Sequence, residues 1–354
     1  MKNFLSSELR LIAWEWTSAC NLGCLHCRAS ATSSPANGEI TLDEGKKLID
    51  DVVTFAKPVI ILSGGEPLMR FDEICELSRY STEKGLRVVL ASNGTLFSPE
   101  RIKKLIASGI QRVSVSLDGS NEASHDSFRG LKGAFREALK GISELKKAGL
   151  SFQINTTITR RNKDEIQKIA ALVKELGAAA LHIFLLVPTG RGKQIEGDEI
   201  SPQEYEDILD WFYKESKNVN INLKATCAPH YFRIMRQRAK EEGKQVTVQT
   251  HGFEAMTRGC LGGVGFCFIS SQGDVQPCGY LPVTAGNIRK EKFSRIWQNS
   301  KLFTDLRDLS KLKGKCGICE YKVFCGGCRA RAYARDNDYM SEEPYCIYKP
   351  KVKK

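Results

Sequence analysis

No apolar run in this chain reaches the roughly 18 residues that a membrane span needs. The longest candidate, Ala178–Val187, is broken by His182 and ends at Pro188. Nor does Met1–Cys20 contain the apolar core of a secretion signal. Low-complexity segments and internal repeats are missing, and prolines number only 11 in 354 residues. With 42% apolar and 27% charged residues, this composition excludes a disordered chain and allows a packed core. The expectation is a soluble cytoplasmic protein with no membrane span. Acidic residues are in deficit, 41 against 53 basic ones, for a net charge of +12. The basic residues are spread along the chain, apart from a short tail (Lys349, Lys351, Lys353, Lys354). That spread does not predict a nucleic-acid partner; it fits a solvated surface, with an acidic small substrate as the other use of the charge.

Cysteine, by contrast, is abundant. Thirteen thiols without a secretion signal serve better as metal ligands or catalysts than as disulfides. Three lie between Cys20 and Cys27 and eight between Cys260 and Cys346; only Cys75 and Cys227 stand alone. Cys75, beside Ile74 and Leu77 on an expected helix, reads as a buried core thiol. Cys227, in Thr226-Cys227-Ala228-Pro229-His230, is open to either a site role or packing.

Between residues 11 and 190, strand-like apolar runs alternate with amphipathic stretches of helical length. The runs are Leu11–Trp16, Val59–Leu62, Leu86–Ala91, Arg112–Leu117, Phe152–Ile158 and Leu181–Val187. The helical stretches include Leu42–Phe55, Pro99–Ala107, Ala134–Ala148 and Lys163–Leu176. Six βα units in series predict an α/β fold with a parallel sheet and right-handed crossovers, curling into a partial TIM-like barrel. Its site would lie at the C-terminal ends of the strands. There stand Ser63–Pro67, Ser92-Asn93-Gly94, Ser116 with Asp118-Gly119, Asn155 and Pro188–Arg191, and all these loops are expected to face one pocket. Ser201–Glu204 reads as a capped helix start. After about residue 245 the chain becomes rich in glycine and cysteine. The expected division is a barrel with linker helices over 1–230 and a cysteine-rich domain over 231–354.

Cys20-x3-Cys24-x2-Cys27 follows the first strand. Three thiolates so close together can hold three irons of a 4Fe–4S cube and leave the fourth open to an outside ligand, such as the amino and carboxylate groups of S-adenosylmethionine. A three-cysteine zinc site completed by a residue such as His26 is the alternative. This spacing, with Gly64-Gly65-Glu66-Pro67 after the second strand, resembles the radical S-adenosylmethionine superfamily. The resemblance implies a 4Fe–4S cluster on Cys20, Cys24 and Cys27, and S-adenosylmethionine as cofactor. It places Gly64, Gly65, Glu66 and Pro67 near the methionine amino group, and Asn93, Ser116, Asp118 and Asn155 at the cofactor's carboxylate, sulfonium side or ribose. His26 takes the place where the family often has an aromatic beside the adenine.

The later cysteines are spaced Cys260-x6-Cys267-x10-Cys278, Cys316-x2-Cys319-x5-Cys325-x2-Cys328, and Cys346. They resemble the SPASM extension, whose usual last pair has three intervening residues where this chain has two. By that resemblance, Cys260, Cys267, Cys278 and Cys328 would hold one auxiliary 4Fe–4S cluster, and Cys316, Cys319, Cys325 and Cys346 another. One cluster with spare thiols, or zinc on the Cys-x2-Cys pairs, are the other readings.

Longer segments narrow the resemblance. Arg10–Glu15, Pro188–Lys193, Thr226–Tyr231, Cys267–Ser270 and Val275–Pro282 together resemble the radical haem synthases of the sirohaem-dependent pathway. The implied reaction is oxidative decarboxylation of two propionates of Fe-coproporphyrin III to vinyls, giving haem b. An electron donor must then reduce the first cluster, and an acceptor must take the substrate's electron. The four carboxylates of such an anionic tetrapyrrole give the positive charge a use. Arg191 and Lys193 are the leading substrate candidates, followed by His182, His230 and Tyr231. Another tetrapyrrole (didecarboxysirohaem deacetylation or a haem d1 step) and a peptide remain as alternative substrates. Cys20 comes so early that no peptide-recognition domain is expected before it. A non-catalytic iron–sulfur or zinc scaffold is the reading from outside enzymology.

Overall fold

The structure, a computed structural model, describes residues 8–351. Residues 1–7, where the sequence was read for a signal, and Lys353 and Lys354 of the basic tail lie outside the described residues. Seven parallel strands run in sequence order: β1 (Leu11–Glu15), β2 (Val59–Ser63), β3 (Arg87–Ser92), β4 (Ile110–Ser116), β5 (Phe152–Ile158), β6 (Ala180–Leu185) and β7 (Asn222–Thr226). Six helices cross between the first six strands: α1 (Leu42–Val52), α2 (Phe71–Glu83), α3 (Pro99–Ala107), α4 (Glu122–Arg129), α5 (Ala134–Lys147) and α6 (Ile166–Leu176). This is the expected partial barrel with one strand more. β7, read from sequence as part of a linker, pairs in register with β6 from Ala180↔Asn222 to Phe184↔Thr226.

Local chemistry sets the element ends. Thr41 and Glu44 form a reciprocal capping box at α1, and Ser98 with Pro99 starts α3. The strands alternate as a barrel wall must: Ile12, Trp14, Ile60 and Leu62 are fully buried under the helices, while Leu11, Ala13, Ile61 and Ser63 are half-buried toward the interior. Each large outward side chain contributes about 1.5–3 kcal/mol by leaving water, so the apolar layer between sheet and helices holds the barrel together.

After β7, α7 (Pro202–Glu215), which precedes it with the Ser201–Glu204 capping box, packs against α8 (His230–Glu241). The chain then returns to the sheet. β8 (Phe266–Ile269) pairs parallel to β1, from Leu11↔Phe266 to Trp14↔Ile269, and β9 (Asp274–Gln276) and β10 (Gly286–Asn287) continue antiparallel beyond it. The sheet is thus ten-stranded, β10-β9-β8-β1-β2-β3-β4-β5-β6-β7, and it runs unbroken through the division expected near residue 230. Cys75 lies on α2 in the core, as expected. No described helix is long and apolar enough to cross a membrane.

Candidate active site

The loop after β1 carries Cys20, Cys24 and Cys27 over the C-terminal end of the strands. The three pack together with Leu22, Ala31 and Ala134. Donors are trained on the sulfurs: Leu22 N–H on Cys20 at 3.4 Å, Ala31 N–H on Cys27 at 3.4 Å, and the Arg129 guanidinium on Cys24 at 3.6 Å. Burial pushes the Cys20 thiol up to about 11, against the Leu22 N–H that lowers it. Burial also raises Cys24, and the adjacent Arg129 opposes that shift. Three clustered sulfurs, each with a polar hydrogen aimed at it, fit a site that binds three irons as thiolates.

The glycine segment explains how that loop is held. Gly65 N–H donates to Thr17 O at 2.6 Å and Glu66 N–H to Ala19 O at 2.7 Å. A Cβ on Gly65 would stand 2.2 Å from Ala19 O, so only glycine permits this approach. Pro67 opens a short 3₁₀ turn, Pro67–Arg70. The Glu66 side chain turns away into the protein, where it accepts from Asn93 N–H at 2.7 Å, Ser92 Oγ at 2.9 Å and Leu68 N–H at 3.1 Å. Burial pushes its carboxyl up to about 7 in spite of these donors. It ties the loop after β2 to the loop after β3. Asn93 continues the chain of contacts, donating to Asn21 Oδ1 at 2.8 Å.

Asp118 is fully buried after β4. Its carboxylate meets the Arg129 guanidinium at 2.5 Å and His26 Nε2 at 3.6 Å, and accepts from Thr157 N–H at 2.7 Å. Burial would raise its pKa; the Arg129 guanidinium foremost, with the two neighbouring imidazoles and the Thr157 N–H, outweighs that and holds it below the ordinary aspartate range. His26 stacks on Phe128 with ring centroids 4.3 Å apart, and burial lowers it to about 4, which keeps the ring neutral. Neither Arg129 nor Phe128 was singled out from the sequence. Both lie on α4, capped by Asn121 and ended by Gly130, where a buried arginine has no signature to separate it from a solvated one.

His125, also on α4, accepts the Asp118 N–H at Nδ1 (3.1 Å), which requires that nitrogen to be unprotonated. Burial, then Arg129, lower it to about 4. Between about pH 6.5 and pH 4, the unfolded chain therefore binds a proton at His125 that the folded chain does not, and stability falls as acid is added through that window. Asparagine can accept the same N–H and does not titrate. The His125→Asn variant is expected to lose less stability per pH unit across this range, measured as denaturant midpoints. Parallel slopes for the two proteins would remove His125 from the account.

Inside the barrel, register aligns a polar row. Ser116 pairs with Asn155, Asn155 with His182, and His182 with Lys224. Gln153 bridges Asn155 Oδ1 at 3.1 Å and His182 Nδ1 at 2.9 Å. His182 thus faces the interior. The other substrate candidates do not gather there. The Arg191 guanidinium donates to Cys24 O at 3.0 Å and Ala31 O at 2.5 Å, which clasps the cysteine loop, while its Nη2 is buried without a hydrogen-bond partner. Lys193 is exposed on the turn that follows. Tyr231 is buried in the core between α7 and α8, its hydroxyl 3.2 Å from Glu254. His230 lines a different cavity.

That cavity, partly open to solvent, is bounded by Cys316, Cys319, Cys325 and Cys346, with Lys315 and Arg233 beside them. Backbone N–H groups of Glu343, Tyr321 and Gly327 point at the sulfurs of Cys316, Cys319 and Cys325 at 3.3, 3.4 and 3.4 Å. Four thiols, backbone donors and surrounding cations fit a bound anionic cluster. Both ring nitrogens of His230 are buried and without hydrogen-bond partners at its wall. Cys278 and Cys328 meet in a second group deeper in the molecule, and Cys227 packs there with them. Cys267 is elsewhere: it is fully buried in the apolar layer, in register with Ile12.

A model of the radical SAM superfamily matches residues 14–173, and a model of SPASM, an iron-sulfur cluster-binding domain, matches 260–328. An AdoMet-dependent heme synthase of Methanosarcina barkeri is 62% identical over 346 residues, 98% of each chain. Another, of Nitratidesulfovibrio vulgaris, is 54% identical over 98% of this chain and 94% of its own. The Fe-coproporphyrin III synthase of Methanosarcina barkeri is 31% identical over 97% of this chain and 89% of its own. Among solved structures, anSMEcpe with bound AdoMet superposes with a TM-score of 0.70 at 22% identity, covering 96% of this chain and 94% of that one. Streptococcus suis SuiB bound to S-adenosylmethionine gives 0.74 at 17% identity, covering 97% and 78%. These two likenesses bear on the fold. Together with the cysteine loop and its glycine brace, the comparisons establish that the chain belongs to the radical SAM superfamily, carries a SPASM domain, and falls among the AdoMet-dependent heme synthases.

Proposed function

We propose that this chain is a radical S-adenosylmethionine oxidative decarboxylase that converts two propionates of Fe-coproporphyrin III to vinyls, yielding haem b. The observation that carries the reading is the 62% identity, across 98% of both chains, to an AdoMet-dependent heme synthase. When bound, the cluster and S-adenosylmethionine supply a 5′-deoxyadenosyl radical by one-electron reduction. The conversion of each propionate would remove one hydrogen atom from the β-carbon, release carbon dioxide and pass one electron to an acceptor.

The chain's own residues prepare this chemistry. Arg129 and Asp118 fix the cysteine loop and the loop after β4 in one buried pair. Ser116 and Asn155 face the interior beside them, placed to orient the cofactor's polar groups. Lys224, at the end of the polar row, and Lys193, at the rim, are cations for propionate carboxylates. Arg191, bonded to the Cys24 and Ala31 carbonyls, positions the loop. The C-terminal thiols provide the electron's exit. Free thiols throughout the described chain suit a reducing compartment such as the cytoplasm.

The deciding experiment is anaerobic. Reconstituted protein, S-adenosylmethionine and dithionite are mixed with Fe-coproporphyrin III, and the tetrapyrrole is followed by mass. Two successive losses of carbon dioxide with two hydrogens are expected, along with 5′-deoxyadenosine. An unchanged tetrapyrrole alongside 5′-deoxyadenosine would redirect the substrate assignment. Cys319→Ala is expected to spare uncoupled 5′-deoxyadenosine formation and to stop vinyl formation. Equal loss of both in a folded variant would count against the electron-exit role.

A further inference from the structure

We propose that Cys227 is the fourth thiolate of the inner auxiliary site, with Cys260, Cys278 and Cys328, and that Cys267 is not a ligand. This differs from the assignment that spacing alone implies. It rests on the auxiliary site being iron–sulfur, and not on which substrate is turned over.

The two cysteines differ in where the fold points them. On β8, Phe268 faces the barrel interior, where the Arg28 guanidinium lies 4.3 Å from its ring centre. Cys267 precedes it, so the pleat turns its sulfur to the opposite face, against the helices. It is wholly buried there, in the apolar layer. Bringing that sulfur to Cys278 would require the strand to slip by one residue and invert every side chain on it.

Cys227 lies in the turn from β7 to α8, at the same end of the barrel as the first cysteine loop. Its side chain packs against the group containing Cys278 and Cys328 and is only partly covered. The backbone is held in a conformation unusual for a residue with a side chain, φ +55°. Its carbonyl is pinned from two sides, by Tyr205 Oη at 2.9 Å and Arg331 Nη1 at 3.2 Å. The segment leading to Cys260 is pressed onto the same turn: a Cβ on Gly259 would stand 2.4 Å from Pro229 Cβ. Cys227, Cys278 and Cys328 thus share one packed group, and the Gly259 contact brings the neighbouring Cys260 up to the same turn. A strained, braced turn that packs a thiol against Cys278 and Cys328, with the Cys260 segment pressed onto it, is a ligand's setting.

The test compares Cys227→Ala with Cys267→Ala, both purified and reconstituted anaerobically. Iron, acid-labile sulfide and the electron paramagnetic resonance of the dithionite-reduced protein are measured. Cys267→Ala is expected to match the wild type. Cys227→Ala is expected to lose about four irons per chain, the content of one cube, or to keep three-thiolate binding with one signal changed. Wild-type iron and signals in Cys227→Ala, or a cluster lost from Cys267→Ala, would overturn the assignment. Formation of 5′-deoxyadenosine without tetrapyrrole reports that each variant is folded. Should the alanine variant fail that control, Cys227→Ser, nearly isosteric, gives the same two outcomes. A chain that left Fe-coproporphyrin III untouched would still return both iron readings.

Discussion

Cys24→Ala is expected to reduce S-adenosylmethionine cleavage to the level of a protein-free control, measured as 5′-deoxyadenosine formed with dithionite. Cys24 is the middle thiol of the three, and it receives the Arg129 guanidinium directly. Its loss leaves two thiolates, too few to hold three irons, and takes one acceptor from Arg129, which keeps its pair with Asp118. Cys20 and Cys27 each receive a backbone N–H that the substitution leaves in place. The barrel itself is expected to stay folded, because its core lies on the other side of the sheet. Measurable cleavage by a folded Cys24→Ala protein would detach this loop from the radical chemistry.

The second large effect concerns stability. Arg129 and Asp118 form a buried ion pair, and removing one partner leaves the other charged in a place that water does not reach. Such a deletion costs about 3–5 kcal/mol. Arg129→Met is therefore expected to lower unfolding free energy by that amount, followed in denaturant under anaerobic conditions. The double variant Arg129→Met/Asp118→Asn is expected to recover part of the loss, since no uncompensated charge remains; the Thr157 N–H can still donate to an amide oxygen. Additive losses in the double variant would mean that the two side chains do not act as a pair. The single variant should also lose stability relative to the double one as pH rises above about 4, because the unfolded chain ionises Asp118 there while burial without the guanidinium opposes its ionisation in the folded chain.

Much of the fold was legible because its signals are local. The α3 ends follow from Ser98-Pro99 and the apolar spacing that stops at Ala107, and α7 from the Ser201–Glu204 box. The first cysteine loop and its glycine brace were legible for the same reason: the chemistry demands those residue types within a few positions of one another. What the sequence hid depends on distant partners. Nothing around Phe266–Ile269 says that it pairs with β1, so Cys267 looked like any other cysteine in its cluster, and Cys227, some 30 residues earlier, looked alone. Arg191 stands at a strand end where a substrate clamp belongs, yet two carbonyls of a loop far back in the chain take its Nε and Nη1 and leave only Nη2. His230 was read as a substrate contact and lies at the wall of the outer cysteine cavity.

The pairing of β8 with β1 also sets a schedule for synthesis. Leu11 and its partner Phe266 are separated by 255 residues (266 − 11). At about 5–20 residues per second, the ribosome leaves roughly 13–50 s between them. Throughout that interval β1 has one unpaired edge, and an unpaired edge rich in apolar side chains invites pairing with another nascent chain. A chain truncated before residue 266 would keep that edge permanently, and aggregation, more than loss of the C-terminal thiols, is what would first be seen.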